Sequence, residues 1–354
     1  MTLRIYMKES RLYCRFDKSE GPIFLSLFDY LNDQFNSDDP QKILEFYNNF
    51  ESRDQLIKWM KERPKGVAHI REVEGDKDII VVIPTADFGG KYATECRENI
   101  FNGLHIIFVD GGNERDFYFN YSHKCNIGIR KAMEYSPKWI VISNDDMYKI
   151  DDISTLKREL SKLDNAKTDL VFTHRSQYHS VPARFSKPRM LREKILLLRY
   201  IKSQDLALVK SLLQLENKFH CRYFFSPRTG FTFLLYKHGY NLISFTDFYI
   251  LSSQYISNLD HDVFDETFVN AHEDHDLVLR AFTSGARYAI IDYRIGDYVG
   301  STMGTGITRS LRDIAGIVYL DYKWRSAFDL HKNTKTVKTR IPSKPEEKIP
   351  DKKI

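Results

Sequence analysis

The pattern of apolar and polar residues changes near residue 75 of this 354-residue chain. Before that point, apolar side chains recur at helical spacing in residues 22–35 and 40–50. The spacing predicts a polar, helical region over residues 1–75. No motif in this region points to chemistry.

Beyond residue 75, nearly continuous apolar runs at residues 78–84, 104–109 and 139–143 alternate with helix-like stretches at 91–102 and 122–135. Short runs of this kind are typical of strands buried on both faces of a parallel sheet. The alternation predicts an α/β, Rossmann-like domain whose mostly parallel central sheet is flanked by helices. Ligands of such a domain bind beyond the carboxyl ends of the strands.

This domain is expected to span residues 76–305 and to be followed by a C-terminal helix at 306–330. Its later part is predicted to contain a strand at 169–173, an apolar segment at 231–236, a helix at 266–284 and a strand at 288–293. The tail, residues 331–354, carries eight basic and three acidic residues with few core-forming side chains. We expect it to be a disordered basic tail.

A basic helical insertion is predicted at residues 184–221. Between residues 184 and 202 it holds seven basic residues and one acid, and Leu191, Ile195 and Leu198 recur at helical spacing. A helix of this kind can lie on a membrane surface, cover a site, or pack against its own protein. These alternatives stay open, so 184–202 is a possible peripheral membrane contact.

Composition limits the function classes. A net charge of +5 over the whole chain is too small to indicate nucleic acid as a partner. The four cysteines form no CxxC pair, so neither a zinc site nor a disulfide framework is indicated. The sequence has no cleavable leader pattern and no run of eighteen apolar residues. We therefore expect a cytoplasmic protein, which can be peripheral at the membrane.

Polar residues follow the first two predicted strands. The first strand ends in Pro84, Thr85 and Asp87, and the second ends in Asp110. Each cluster can hold the base and ribose of a nucleotide, or it can be an ordinary turn at the end of a strand. The glycines match neither GxGxxG nor GxxxxGK[ST], which disfavours a dinucleotide fold and a P-loop.

Two adjacent carboxylates, Asp145 and Asp146, emerge directly from the third apolar run. Adjacent carboxylates repel each other unless a cation or hydrogen bonds neutralise them, and hard divalent ions prefer oxygen ligands. The pair predicts a site for Mn²⁺ or Mg²⁺ that bridges the protein and a diphosphate. The alternative is a helix cap or a turn.

A second acidic cluster comprises His272, Glu273, Asp274, His275 and Asp276. Asp276 lies four residues before Arg280, so these two side chains can simply pair on a helix surface. The rest of the cluster is better suited to a general base or a metal site than to a solvent-exposed face.

In order along residues 78–304, the chain resembles the family 2 glycosyltransferases. The similar segments are Ile79–Thr85, Phe108–Asn113, Asn126–Ala132, Ser143–Met147, Gly230–Leu235, Phe264–Glu266 with Glu273–Asp274, and Gly285–Ile291. The resemblance implies the GT-A fold. It also implies nucleotide-sugar binding by Pro84, Thr85, Asp87, Asp110, Asn126 and Asp145, a metal at Asp146, and catalysis by Asp274 with Glu273.

The chain departs from the family pattern at three positions. Ala86-Asp87 stands where Tyr-Asn is common, Gly111 stands where a second Asp is common, and Cys125 replaces a base-contacting Arg of some members. The segment at Tyr298–Thr302 lacks the His that many members supply there, so no His ligand is assigned.

The expected function is therefore an inverting glycosyltransferase. It moves a sugar from a nucleoside-diphosphate sugar to an acceptor hydroxyl on a glycan, a lipid-linked molecule or a protein. The first alternative is a non-catalytic nucleotide-sugar-binding protein of the same fold. The second is a sugar nucleotidyltransferase, for which Lys91 is the only helpful basic residue in the loop after the first strand.

Overall fold

The computed structural model describes residues 4–8, 11–15, 27–112, 116–173, 214–215, 218, 248–298 and 306–333. The predictions for residues 231–236 and 334–354, and nearly all of the insertion at 184–221, lie outside these residues. None of the described helices is both long enough and apolar enough to cross a membrane.

A seven-stranded mixed sheet forms the centre of an α/β fold flanked by helices, which is compatible with a Rossmann-like fold. Its strands are β3 (His69–Val73), β4 (Asp76–Thr85), β5 (Leu104–Asp110), β6 (Trp139–Ser143), β8 (Leu170–Phe172), β9 (Phe248–Ser252) and β10 (Tyr288–Ile290). They are arranged in the order β10-β8-β9-β6-β4-β5-β3. The two strands β3 and β9 run opposite to the other five, whose carboxyl ends therefore meet at one edge.

Two smaller sheets accompany the central one. β1 (Arg4–Lys8) pairs with β2 (Arg11–Arg15), and β7 (Met147–Lys149) pairs with β11 (Ile295–Asp297), in both cases antiparallel. Because β7 begins directly after Asp146, the β7–β11 ribbon lies next to the carboxyl end of β6.

Alternate side chains of the central strands supply two apolar cores, one on each face of the sheet. Val82 and Val109 belong to one core, and Val81 and Phe108 belong to the other. The helices are α1 (Leu27–Phe35), α2 (Pro40–Asn48), α3 (Arg53–Glu62), α4 (Lys91–Glu95), α5 (Tyr121–Met133), α6 (Ile153–Ser161), α7 (Ser253–Ser257), α8 (Glu273–Thr283) and α9 (Ile307–Asn333). α4 and α6 pack on the second face, whereas α1 to α3, α5 and α7 to α9 pack on the first.

Helix α5 lies unusually close to the sheet. A Cβ at Gly128 would overlap the side chain of Val82 and come within 2.9 Å of Val109 Cγ2. Only glycine allows this approach, which brings the first turn of α5 over the carboxyl ends of β4 and β5.

The region 1–75 was predicted to be helical, and the structure corrects part of this. It does contain α1 to α3, which pack through an aromatic cluster of Phe35, Phe46 and Trp59. It also contains β1, β2 and the edge strand β3. β3 is largely exposed and pairs with the open side of β5, so tertiary pairing and not apolar periodicity makes it a strand.

The central strands were predicted closely: 104–109 is observed as Leu104–Asp110 and 139–143 as Trp139–Ser143. The helix predicted at 266–284 begins only at Glu273. The preceding segment turns at Asn270 and His272, whose φ angles are 58° and 69°. The helix predicted at 91–102 is split into α4 and a π-helical turn at Cys96–Ile100.

Candidate functional site

The carboxyl ends of β5, β4 and β6 are joined at the candidate site by two hydrogen bonds. The Gly111 amide donates to the Thr85 carbonyl at 3.0 Å. The Thr85 hydroxyl donates to Asp145 Oδ2 at 2.7 Å. Thr85 therefore lies at the middle of a continuous polar edge, with Asp110 on one side and Asp145 on the other.

Burial raises the pKa of Asp145 to about 6, and the neighbouring charge of Asp146 adds to the rise. The hydrogen bond from Thr85 opposes the shift without cancelling it. Asp145 forms no ion pair with any described residue. A nearby cation would stabilise the ionised form of this carboxyl group.

Asp146 is buried, with 6% of its surface exposed, whereas Asp145 is half-buried. Its carbonyl accepts a 2.9 Å hydrogen bond from the Tyr298 amide, so the ribbon of β7 and β11 fixes its backbone. In the described part of the chain, no three His, Cys, Asp or Glu side chains come together as a metal site. The two adjacent carboxylates supply oxygen ligands of the kind that a hard cation prefers, and such a cation would take its other ligands from outside these two side chains.

Asp110 is buried at the end of β5. Its Oδ1 accepts a 2.9 Å hydrogen bond from the Gly112 amide, and Arg71 Nε lies 3.8 Å from its Oδ2. The carboxylate is thus held at the edge of the sheet by its own loop and by the neighbouring strand β3.

Sequence reasoning missed Lys124, a fully buried lysine of α5. Its ammonium lies 3.2 Å from Asp116 Oδ2 and 4.8 Å from the centre of the Phe119 ring. Burial lowers its pKa, while Asp116 and Asp110 oppose that shift. A Cβ at Gly111 would collide with Lys124 Nζ, so the lysine occupies the space that an Asp at position 111 would need.

Pro84 is the last residue but one of β4, and Asp87 lies in the turn that follows the strand. Pro84 is buried within the strand, opposite Val109 of β5. Asp87 is exposed, and its Oδ1 accepts a 2.8 Å hydrogen bond from the Gly89 amide. The Asp87 side chain therefore closes the turn that leads to α4.

Asn126 is fully buried, and its side chain is bonded to the segment that precedes α8. Its amide nitrogen donates to the Phe264 carbonyl at 2.8 Å, and its oxygen accepts from the Phe264 amide at 3.0 Å. The nitrogen also lies 3.2 Å from Glu266 Oε1. Asn126 thus anchors the 264–266 segment to α5, a role that the motif alone did not predict.

Glu273 and Asp274 start α8, and the topology places them at the same edge as Asp145. Helix α8 leads into β10, which is parallel to β8, so the helix runs from the carboxyl edge towards the amino edge. The preceding segment is also tied to the start of α5, where the Tyr121 amide donates to Asn270 Oδ1 at 2.8 Å.

Both carboxyl groups have a raised pKa. Burial is the larger cause for each, and the charge of Asp274 adds to the shift of Glu273. Asp274 Oδ1 accepts a 2.7 Å hydrogen bond from the His275 amide, and 20% of its side chain remains exposed. Asp274 is therefore a partly accessible carboxylate with a higher than usual affinity for a proton.

Two histidines lie against this acidic pair. His272 Nδ1 and His275 Nδ1 are 2.7 Å apart, so one ring donates to the other. Burial lowers the pKa of His272 to about 3 and that of His275 to about 4, which keeps both rings neutral. His275 Nδ1 lies 3.5 Å from Asp274 Oδ1, and the interaction with His272 opposes the rise in the pKa of Asp274 without cancelling it.

Helix α9 brings two further charged residues, Arg309 and Asp313, that sequence reasoning missed. A Cβ at Gly316 would lie 2.6 Å from the Ala271 carbonyl oxygen and 2.9 Å from His272, so α9 packs directly against the start of α8. Burial raises the pKa of Asp313 to about 6, and the charge of Asp274 contributes.

The predicted pair of Asp276 with Arg280 is confirmed, but its predicted place on the helix surface is wrong, because Asp276 is fully buried. Arg280 Nε donates to its Oδ2 at 2.9 Å, Lys323 Nζ does so at 2.9 Å, and Trp324 Nε1 donates to Oδ1 at 2.9 Å. This fully buried carboxylate joins α8 to α9 and is structural.

No protein-family model matches the chain, and no curated protein matches it in sequence.

Proposed function

We propose that this chain is an inverting, metal-dependent glycosyltransferase with the GT-A fold, similar to the family 2 glycosyltransferases. The observation that carries the proposal is that strand and helix direction places four aspartates at the carboxyl edge of the sheet: Asp110 at the end of β5, Asp145 and Asp146 after β6, and Asp274 at the start of α8. Two of these, Asp145 and Asp274, have a raised pKa, as is common at functional sites.

The nucleoside of the donor is assigned to the crevice between the carboxyl ends of β4 and β5. The chain leaves β4 towards one face of the sheet through α4 and leaves β5 towards the other through α5. Ligands of α/β sheets bind at such a point, where adjacent connections diverge. Thr85 and Asp110 flank this crevice and offer a hydroxyl and a carboxylate to the ribose and base.

Asp145 and Asp146 are proposed to hold Mn²⁺ or Mg²⁺ together with the diphosphate. A bound divalent ion would stabilise the negative charge that develops on the leaving nucleoside diphosphate. Thr85, at the end of β4, fixes the orientation of the Asp145 carboxylate through its hydroxyl. The Tyr298 amide, which follows β11, fixes the backbone of Asp146.

Asp274 is proposed to take the proton from the acceptor hydroxyl as that oxygen attacks the anomeric carbon. The bond to the diphosphate breaks on the opposite side of the sugar, so the configuration inverts. A raised pKa makes the carboxylate a stronger base, and a positioned base is worth roughly a hundred- to ten-thousand-fold in rate. The acceptor is proposed to be a glycan or a lipid-linked molecule, the latter with residues 184–202 at the membrane.

Turnover tests this proposal. Release of nucleoside diphosphate from a panel of nucleotide sugars is measured with Mn²⁺ and with a chelator. We expect Asp146→Asn to abolish metal-dependent turnover and Asp274→Asn to lower kcat at least about a hundredfold while retaining donor binding. Asp262→Asn is the matched control, because Asp262 only pairs with Arg130 at the surface. Wild-type rates in either site variant would remove that assignment.

Binding of the donor without any turnover would instead favour the non-catalytic nucleotide-sugar-binding protein. Transfer of a nucleotidyl group from a nucleoside triphosphate would favour the nucleotidyltransferase. Adding nucleoside triphosphates to the panel of nucleotide sugars therefore distinguishes the glycosyltransferase from both alternatives.

A further inference from the structure

Three exposed tyrosines lie together beside the acidic edge. Tyr92 is in the first turn of α4, Tyr148 is in β7, and Tyr298 follows β11. Their exposed fractions are 37%, 39% and 51%. The Tyr298 ring is centred 6.2 Å from that of Tyr92 and 5.1 Å from that of Tyr148. We call these three residues the tyrosine surface.

The tyrosine surface is held in place by the backbone next to Asp146. The Tyr298 amide donates to the Asp146 carbonyl at 2.9 Å. Gly296 lies against the ring of Tyr148 so closely that a Cβ there would overlap ring carbons. The rings are therefore positioned although they are exposed, which distinguishes them from solitary tyrosines on a protein surface.

The three phenol hydroxyls have no hydrogen-bond partner among the described residues. Each ring thus offers an apolar face together with an unused hydroxyl group at its rim. A pyranose ring has the complementary form, with a face of C–H groups and hydroxyls around its edge. None of the three residues carries a charge, and Lys91 Nζ lies 6.0 Å from the centre of the Tyr92 ring. The rings of Tyr148 and Tyr298 therefore fit the C–H face of a sugar better than they fit a charged group.

We infer that the tyrosine surface binds the hexosyl group of the nucleotide-sugar donor. This inference rests on the proposed function, which places the diphosphate at Asp145 and Asp146. The hexose is bonded directly to that diphosphate, and Tyr298 is hydrogen-bonded to the backbone of Asp146. The sugar is therefore the part of the donor that lies nearest to these rings, and the tyrosines select for it without contacting the base.

Calorimetric titration in Mn²⁺ tests this inference with matched pairs of ligands: uridine diphosphate and UDP-glucose, guanosine diphosphate and GDP-mannose, and thymidine diphosphate and dTDP-glucose. We expect Tyr298→Ala to weaken binding of the hexose conjugate about three- to tenfold, the size typical of one aromatic contact. Affinity for the free diphosphate should stay unchanged. Gly296→Ala, which displaces Tyr148 without removing a ring, should act in the same direction.

Tyr322→Ala is the control, because Tyr322 is 43% exposed on α9, where it contacts Arg53. Circular dichroism checks folding, and Tyr298→Leu replaces the alanine variant if that one unfolds. If Tyr298→Ala weakens binding of the diphosphate and of the hexose conjugate by the same factor, or weakens neither, the inference is overturned and the proposed function stays intact. No binding of any diphosphate by the wild type would overturn both.

Discussion

The Thr85 hydroxyl donates a 2.7 Å hydrogen bond to the Asp145 carboxylate and so joins the carboxyl ends of β4 and β6. This contact holds a half-buried acid in one orientation but does not neutralise it. Asp145 keeps a pKa of about 6 because burial and the charge of Asp146 outweigh the hydrogen bond. The strain is electrostatic, and it is the kind that a bound cation relieves.

The first prediction is that Asp145→Asn stabilises the metal-free protein at pH 7.5. The pKa of this carboxyl rises from 3.8 in the unfolded chain to about 6 in the fold. The folded state therefore binds the proton more tightly, and stability is lost as the pH rises from about 4 through 6. Asparagine carries no charge and can still accept the hydrogen bond from Thr85. We expect a gain of about 3 kcal/mol in the free energy of unfolding, since each pKa unit is worth about 1.4 kcal/mol.

Urea unfolding at pH 4.5 and pH 7.5 measures this effect in the presence of a chelator. The advantage of Asp145→Asn should be small at pH 4.5, where the wild-type carboxyl is largely protonated, and full at pH 7.5. Asp262→Asn, an exposed substitution, should show no such pH dependence. A variant less stable than the wild type at pH 7.5 would contradict the prediction.

The second prediction concerns the pH dependence of turnover. Asp274 must be ionised to accept a proton, so activity is lost as the pH falls through its pKa. We expect the acid limb of the kcat profile to lie well above 4, the ordinary value of a carboxyl. Asp313→Asn removes a neighbouring negative charge and should move the limb to lower pH. Arg309→Gln removes a positive charge and should move it to higher pH.

Each of these two shifts should be roughly 0.5 to 1 pH unit. The opposite signs are the control, because general damage to the interface of α8 and α9 would change kcat without moving the limb in opposite directions. An acid limb that stays in place in both variants would show that these residues do not act on the base.

The third prediction is that Lys124→Met destabilises the fold by about 3 kcal/mol, because it leaves the Asp116 carboxylate buried without its partner. The double variant Lys124→Met/Asp116→Asn should recover at least half of the loss. The asparagine side chain introduced there is uncharged and can still accept the hydrogen bond that the Tyr118 amide donates to Asp116 Oδ1 at 3.1 Å.

Lys138→Met is the matched control for this cycle. Lys138 pairs with Asp78 at 2.7 Å, but both side chains are more than 60% exposed, so the loss should be under about 1 kcal/mol. Denaturant unfolding of the four proteins gives the comparison. Equal losses for Lys124→Met and Lys138→Met would show that burial of the first pair has no energetic weight.

The central strands could be predicted from the sequence because each is a continuous run of apolar residues. The bounds predicted for β5 and β6, 104–109 and 139–143, agree with the structure to within one residue. Strand direction alone then predicted that the acidic residues after these runs lie at the carboxyl edge. The strand β9 was missed because its position in the sheet, antiparallel between β6 and β8, is set by tertiary pairing. The late start of α8 has a similar cause, since residues 264–272 bond to α5.

The residues that sequence reasoning missed act through long-range contacts. The Lys124 ammonium occupies the space that a side chain at Gly111 would fill. The two residues come together only when α5 packs on the sheet. Asp313 reaches the start of α8 because Gly316 allows α9 to approach. In the sequence, only Gly111 and Gly316 indicated these close contacts. A glycine in a sequence does not identify the residue that packs against it.

The central claim is that Asp145 and Asp146 hold a divalent cation on the diphosphate of a nucleotide sugar. Electron paramagnetic resonance of Mn²⁺ tests it most directly, because the signal of the free ion falls as the ion binds. With the wild type, nucleoside diphosphate should cause loss of the free Mn²⁺ signal, and Asp145→Asn/Asp146→Asn should abolish that loss beyond what the nucleotide alone produces. Equal Mn²⁺ binding by the wild type and the double variant in the presence of nucleotide would contradict the account.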